Sequence, residues 1–224
     1  MKIKWYGHSC FLLTSEKGIK VLTDPYDPAT GYALGSVEAD VVTCSHFHHD
    51  HHYTQAVLGD PVVIDKAGRH EAKGLTITGI PTWHDAEQGT RRGANTVFVI
   101  EIDGMRVVHL GDLGHMPGEA ELASIGRADI LFAPVGGVYT IDAQQALSLA
   151  SIVKPRVMIP MHYATPDVLF ALAPLSELLR LAAAWRLHRL NSDEATVTPE
   201  SLGNKRILLM DYRKKRSGAQ PGTT

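Results

Sequence analysis

Val41-Val42-Thr43-Cys44-Ser45-His46-Phe47-His48-His49-Asp50-His51-His52 begins as an apolar strand and ends with five histidines and an aspartate within seven positions. Imidazoles and carboxylates crowd poorly unless a positive charge lies between them, and a metal ion is the usual one. His46 and His48 are two apart, and at a strand end residues i and i+2 point to the same side, so both rings can face one ion. Asp50 and His51 follow once the chain has turned and can reach a second position beside the first. The pattern is H-x-H-x-D-H. A loop that is histidine-rich by composition alone is not normally framed by a strand and answered by matching residues further along.

Those answering residues emerge on both sides. Upstream, 3–7, 9–14 and 19–23 read as strands, the last two joined across Ser15-Glu16-Lys17-Gly18 as a hairpin. The third ends in Asp24-Pro25, where proline stops strand and helix alike. Read alone, Asp24 is a turn aspartate and His8 a packed or surface imidazole. Residues 27–38 are loop. Downstream, 52–58 offers one or two helical turns, and 61–65 and 75–80 read as strands, the second delivering His84. A polar loop, 86–95, carries Arg91 and Arg92. Then 96–102 and 106–110 form a pair across Asp103-Gly104 and end in Gly111-Asp112-Leu113-Gly114-His115. The flanking glycines predict a tight turn that leaves the Asp112 carboxylate exposed.

The second half alternates helices with strands. The spacing predicts helix at 119–125, strand at 129–135, and a helix capped by Asp142 through about Val153. Strand 156–160 delivers His162. Pro166 stands at an expected helix start, and Pro174 interrupts or restarts that helix. Leu178, Leu179, Ala182 and Trp185 then follow helical spacing. A last strand at 206–212 precedes a tail, 213–224, expected to be disordered, so 1–212 reads as a single domain. His8, Asp24, His46, His84, Asp112 and His162 all fall just past strand ends, where loops at one edge of a sheet collect chemistry.

With 224 residues, 44% hydrophobic and 21% charged, the chain has the composition of a soluble globular protein. A formal charge of −2 gives no footprint for nucleic acid, which makes that an improbable partner. Cys10 and Cys44, both in apolar runs, read as reduced core residues. No run reaches membrane-spanning length and no leader pattern opens the chain, so the expectation is cytoplasmic.

The ordered set His46, His48, Asp50, His51, His84, Asp112 and His162, with Asp24 before it, resembles the metallo-β-lactamase-fold hydrolases over nearly the whole chain. Gly7-His8-Ser9, His109 through His115, Pro134 through Thr140 and Ile159 through Tyr163 resemble one branch more closely. That branch contains the L-ascorbate-6-phosphate lactonase-like proteins. The resemblance implies an α+β fold, a four-layer αββα sandwich. It also implies a first metal on His46, His48 and His84 and a second on Asp50, His51 and His162, with Asp112 bridging. Asp24, and with it His8, would hold the ligand rings from behind. His49 and His52 fall at variable positions. The best-known zinc β-lactamases carry a cysteine where this chain has Asp112, which argues against antibiotic hydrolysis.

The implied chemistry is hydrolysis of a small ester, lactone or phosphoester by a hydroxide shared between two divalent ions, zinc first and manganese or iron next. Asp50 and Asp112 are the catalytic carboxylates. His115 and Tyr139 are candidates for contact with a substrate, with packing and turn structure as their alternatives. Arg91 and Arg92 could hold a substrate anion, or simply be solvated. A phosphodiesterase or nuclease of the same fold is the competing enzyme. A non-hydrolytic metal-binding or redox module is the competing class, and oligomers are common among related proteins.

Overall fold

The structure, a computed structural model, describes residues 1–212, so the expected tail at 213–224 lies outside it. The first half runs β1 (Lys2–Gly7), β2 (Cys10–Thr14), β3 (Lys20–Thr23), β4 (Val37–Glu38), β5 (Val41–Thr43), β6 (Val57–Leu58), β7 (Val62–Ile64), β8 (Gly68–Ala72) and β9 (Leu75–Trp83). It continues through β10 (Ala94–Ile102), β11 (Met105–His109), α1 (Glu119–Ile125), β12 (Ile130–Pro134) and α2 (Ala143–Val153). The remainder is β13 (Val157–Met161), α3 (Leu175–Leu181), β14 (Arg186–Arg189), β15 (Glu194–Thr196) and β16 (Arg206–Leu209).

Two sheets form the body. One has the order β15-β1-β2-β3-β5-β7 and the other β14-β16-β13-β12-β11-β10-β9-β8, with β4 and β6 as a small separate pair. The strand pattern explains why they stack. β12 and β13 are buried along their whole length, as central parallel strands covered on both faces are. Trp5 and Phe11 come from the first sheet and Phe98 and Phe132 from the second, all in one buried cluster. Phe11 and Phe132 meet with ring centroids 4.2 Å apart. α2 packs on β12 and α3, and α1 on β9. The other sheet's outer side carries a second buried cluster, where Tyr26, Tyr32, Leu34 and Val37 cover Cys10, Leu22, Val42 and Cys44. The outer layer here is the segment after β3, whose only helix is a 3-10 turn at Pro28–Thr30. Pro25, Pro28, Gly31 and Gly35 explain why it is not longer.

Strand direction builds the rim that matters. β3 and β5 run parallel in register Thr23↔Thr43, so Asp24 and the segment from Cys44 onward leave the sheet side by side. β11, β12 and β13 are likewise parallel, and their ends deliver Asp112, Gly136 and His162 to the same edge. β9 ends beside them at Trp83 and hands the chain to His84.

Several expected elements differ. Residues 165–173 form no helix from Pro166, because their backbone groups bond elsewhere. Leu169 N–H donates to Thr30 O (3.1 Å) and Ala173 N–H to Gly136 O (2.8 Å). The helix begins at Leu175, with Pro174 as its cap, and ends at Leu181, so Ala182 and Trp185 lie beyond it. The turns expected at 52–58 reduce to a 3-10 turn, Thr54–Ala56, followed by β6. β8, β14 and β15 were not legible. All four residues of β14 are exposed, so it has no alternation to read.

Phe132→Ala empties the contact between the two sheets. It is expected to destabilise the protein by about 3–5 kcal/mol, read from the midpoint of urea unfolding. A loss below roughly 1 kcal/mol would show that the sheets do not meet there.

Candidate metal centre

The rim brings together residues spread over more than 150 positions. Asp112 is buried, not exposed, and its Oδ2 is their common point. It lies 3.1 Å from His162 Nε2, 3.2 Å from His51 Nε2, 3.4 Å from His84 Nε2 and 4.0 Å from His46 Nε2. His46 Nε2 is in turn 2.9 Å from His48 Nδ1. Donor atoms of His46, His48 and His84 form one compact group, all within 4.8 Å of one another. Those of His8, Asp50, His51 and His162 form a second such group. His8 thus falls in the same group as Asp50, His51 and His162, its Nε2 3.2 Å from Asp50 Oδ2 and 3.2 Å from His51 Nε2.

The local backbone is built for this convergence. His8, Asp24 and His162 all take left-handed φ values of 53°, 39° and 51°. Each such residue stores on the order of 1–3 kcal/mol, so the surrounding packing must hold it. Trp5 Nε1 donates to His8 O (3.1 Å), and His162 N–H also points to that carbonyl (3.4 Å). Gly111 is required twice over. Its φ is +55°, and a Cβ would lie 2.5 Å from the Ser45 side chain. At Gly136 a Cβ would fall 2.1 Å from His162 O, so only glycine lets β12 and β13 end this close together.

Buried supports orient the donors. Asp24 is wholly buried, and its carboxylate accepts from Ser45 N–H (2.8 Å), Ser45 Oγ (2.7 Å) and His51 Nδ1 (2.8 Å). This fixes the hydrogen on the outer nitrogen of His51 and leaves Nε2 facing inward. Asn95 does the same for Asp112: its Oδ1 accepts from Asp112 N–H (2.9 Å), while its Nδ2 donates to Thr82 Oγ1 (2.8 Å) and Leu110 O (3.0 Å). Asn95 has a weak sequence signal, a lone amide at the head of an apolar strand.

The electrostatics suit a cation. Burial raises the Asp50 and Asp112 carboxyls, yet neighbouring imidazoles pull both well below the usual carboxylate range. His51 acts on Asp50, and His162 and His51 act on Asp112. Burial lowers His46 and His84 and brings His8 down to about 4, which keeps these rings neutral and their lone pairs free. His51 moves the other way. Burial opposes its proton, but Asp112, Asp50 and Asp24 crowd round the ring and raise it. Three carboxylates converging on one imidazole are a negative excess that a cation would offset. Asp112 Oδ1, His84 Nδ1 and His162 Nδ1 are buried with no hydrogen-bond partner among the described residues. Imidazoles and carboxylates of this kind fit a divalent ion of the zinc, manganese or iron type.

A cavity of about 520 Å³ opens onto this cluster, lined by His48, Asp50, His84, Asp112 and His162 together with Ala29, Arg92, Tyr139, Leu169 and Phe170. A larger groove of about 640 Å³ near Lys17, Lys73 and Asp103 contains none of the donor residues. Arg92 was read as one of two loop arginines, and the structure separates them. Arg91 is exposed and pairs with Glu87 (3.4 Å). The Arg92 guanidinium lies 5.2 Å above the Tyr139 ring. Asp85, which the sequence reading passed over, makes that position possible. Its buried carboxylate accepts from the backbone N–H groups of Glu87, Gly89, Arg91 and Arg92 at 2.8–3.0 Å, and those bonds bring its pKa down to about 2. His115, expected near a substrate, does not line the cavity. Its Nε2 accepts from Trp83 N–H (3.2 Å), so it braces the end of β9. His49 also lines the cavity, and His52 turns toward Asp65 (3.5 Å).

Comparison with known proteins agrees with this architecture. The β-lactamase superfamily domain matches residues 2–162. A UPF0173 metal-dependent hydrolase of Archaeoglobus fulgidus is 32% identical over 202 residues, covering 74% of this chain and 84% of its own length. A crystal structure from Thermotoga maritima, described as a candidate zinc-dependent hydrolase of the metallo-β-lactamase superfamily, is 37% identical with a TM-score of 0.78. It covers 95% of this chain and 99% of its own. Igni18, a metallo hydrolase of Ignicoccus hospitalis, shares the fold at 21% identity and a TM-score of 0.63, over 94% of each chain. With rim, donors and relatives in agreement, this chain belongs to the UPF0173 metal-dependent hydrolases of the metallo-β-lactamase superfamily.

Proposed function

We propose that the protein hydrolyses a small, negatively charged ester, lactone or phosphoester at a centre for two divalent ions. The observation that carries this reading is the position of Asp112 Oδ2, within 4.0 Å of imidazole nitrogens from both donor groups. His46, His48 and His84 would hold one ion and Asp50, His51 and His162 the other, with Asp112 shared. Bound there, the ions would acidify a water and polarise the substrate's carbonyl or phosphoryl oxygen.

The chain's own groups do the rest. Asp50 remains ionised at neutral pH, so it can accept a proton or a hydrogen bond from water in the cavity. Asp24 keeps the His51 ring in one orientation. Arg92 has no carboxylate within ion-pair distance among the described residues, and it faces the same cavity as the donors. An unpaired guanidinium at that place suits a substrate carboxylate or phosphate. Phe170 and Leu169 add an apolar surface beside it, and 520 Å³ suits a small molecule rather than a polymer. Buried, unpaired Cys10 and Cys44 suit work in a reducing cytoplasm.

His48→Ala and Asp112→Ala are each expected to lose bound metal and hydrolysis together; retention of full metal content and activity by both variants would sink the assignment. Lactones and bis-p-nitrophenyl phosphate assayed with Zn²⁺ and Mn²⁺ should show turnover of the lactones, whereas activity on the diester alone would favour the phosphodiesterase reading. Arg92→Gln should raise KM about tenfold or more for an ester carrying a carboxylate and leave a neutral ester of the same length unchanged. Equal effects on the two would remove Arg92 from substrate recognition. Asp24→Asn is expected to weaken metal affinity about 10–100-fold in chelator competition, and wild-type affinity would show that His51 needs no anchor.

A further inference from the structure

The ring of His8 distinguishes two kinds of support around the centre. A residue that steadies a ligand from behind touches the ligand's far nitrogen, as Asp24 does at His51 Nδ1. His8 instead presents its Nε2 to the inward nitrogen, His51 Nε2, at 3.2 Å. That same His51 atom faces Asp112 Oδ2 at 3.2 Å and Asp50 Oδ2 at 3.5 Å. Two imidazole nitrogens each about 2.1 Å from one ion lie roughly 3.0–3.4 Å apart, which is the spacing seen here. His8 is buried, its ring centroid is 4.3 Å from that of His162, and Phe170 meets it edge-on at 5.4 Å. Its Nδ1, like those of His84 and His162, has no partner among the described residues. In every one of these respects His8 matches residues of the donor set.

We propose that His8 is itself a ligand of the ion held by Asp50, His51 and His162, which makes the two halves of the centre chemically unlike. The inference rests on the two-ion reading above. His46, His48 and His84 with Asp112 offer three imidazoles and one carboxylate, a four-donor set of the kind zinc takes tetrahedrally. The other half offers three imidazoles from His8, His51 and His162 and two carboxylates from Asp50 and Asp112. Five protein donors plus a water complete six positions, which favours manganese or iron(II) over zinc. The left-handed backbone of His8 and its anchoring by Trp5 hold the ring in place for this role.

The test is metal binding, not turnover. Metal-free wild type, His8→Ala and His8→Gln are titrated with Mn²⁺, and free ion is followed by electron paramagnetic resonance. Wild type should take up two ions per chain, and both variants should hold one normally and the second at least about tenfold more weakly. Unchanged affinity for the second ion in both variants would overturn the proposal. A wild type that binds fewer than two ions would instead remove the two-ion reading, and this inference with it. Independently of how well the variants fold, a crystal structure of manganese-loaded wild type should place His8 Nε2 within about 2.3 Å of the ion. A separation beyond about 3 Å would return His8 to a supporting role.

Discussion

A single carboxylate oxygen with imidazoles turned toward it from four directions is the constraint on which the rest of this molecule depends. Asp112 is buried, and a buried carboxylate is tolerated only when positive or hydrogen-bonding groups surround it. The imidazoles come from the ends of β5, β9 and β13 and the carboxylate from the end of β11, which requires that all four strands end at one rim. That requirement fixes the parallel pairing of β3 with β5 and of β11 with β12 and β13. It also fixes the glycines where strand ends approach too closely for a side chain. Architecture and chemistry are therefore one problem here, and the strained φ values at His8, Asp24 and His162 record the cost of solving it.

Much of this was legible in the sequence because the informative residues obey local rules. The i, i+2 placement of His46 and His48 after an apolar strand, and the repeated placement of acids and imidazoles after other strands, depend only on backbone periodicity. What was not legible depends on partners distant in the chain. β14 has no apolar alternation and exists because β16 offers it an edge. The segment 165–173 has helix-start chemistry at Pro166, yet its N–H groups find carbonyls at Thr30 and Gly136. Asp85 has no motif to mark it, and only the folded loop reveals four backbone donors wrapped round it. His8 carried a strand-end signal too, but sequence position says nothing of the 3.2 Å approach of its Nε2 to His51 Nε2.

The loop after β9 supplies two residues of the cavity lining. His84 is one, and eight residues later Arg92 is the other. The Asp85 carboxylate lies between them and holds the intervening backbone to a fixed path. Trp83 closes the turn from the other side, packed so tightly that a Cβ on Gly89 would lie 2.6 Å from its ring. His84 and Arg92 are thus held in register by covalent distance and one buried carboxylate.

The apolar part of the cavity lining has a different parentage. Leu169 and Phe170 come from a segment held along its length, where Leu169 N–H donates to Thr30 O, Ala173 N–H donates to Gly136 O, the Tyr32 hydroxyl meets Thr165 Oγ1 at 2.6 Å and the Phe170 ring meets His8 edge-on at 5.4 Å. Leu169 has no such contact with the buried imidazoles, so its side chain can change without disturbing them, whereas Phe170 cannot. One short stretch of backbone therefore both shapes what the cavity admits, at Leu169, and steadies the buried rings beneath it, at Phe170, so adjacent positions answer to different constraints.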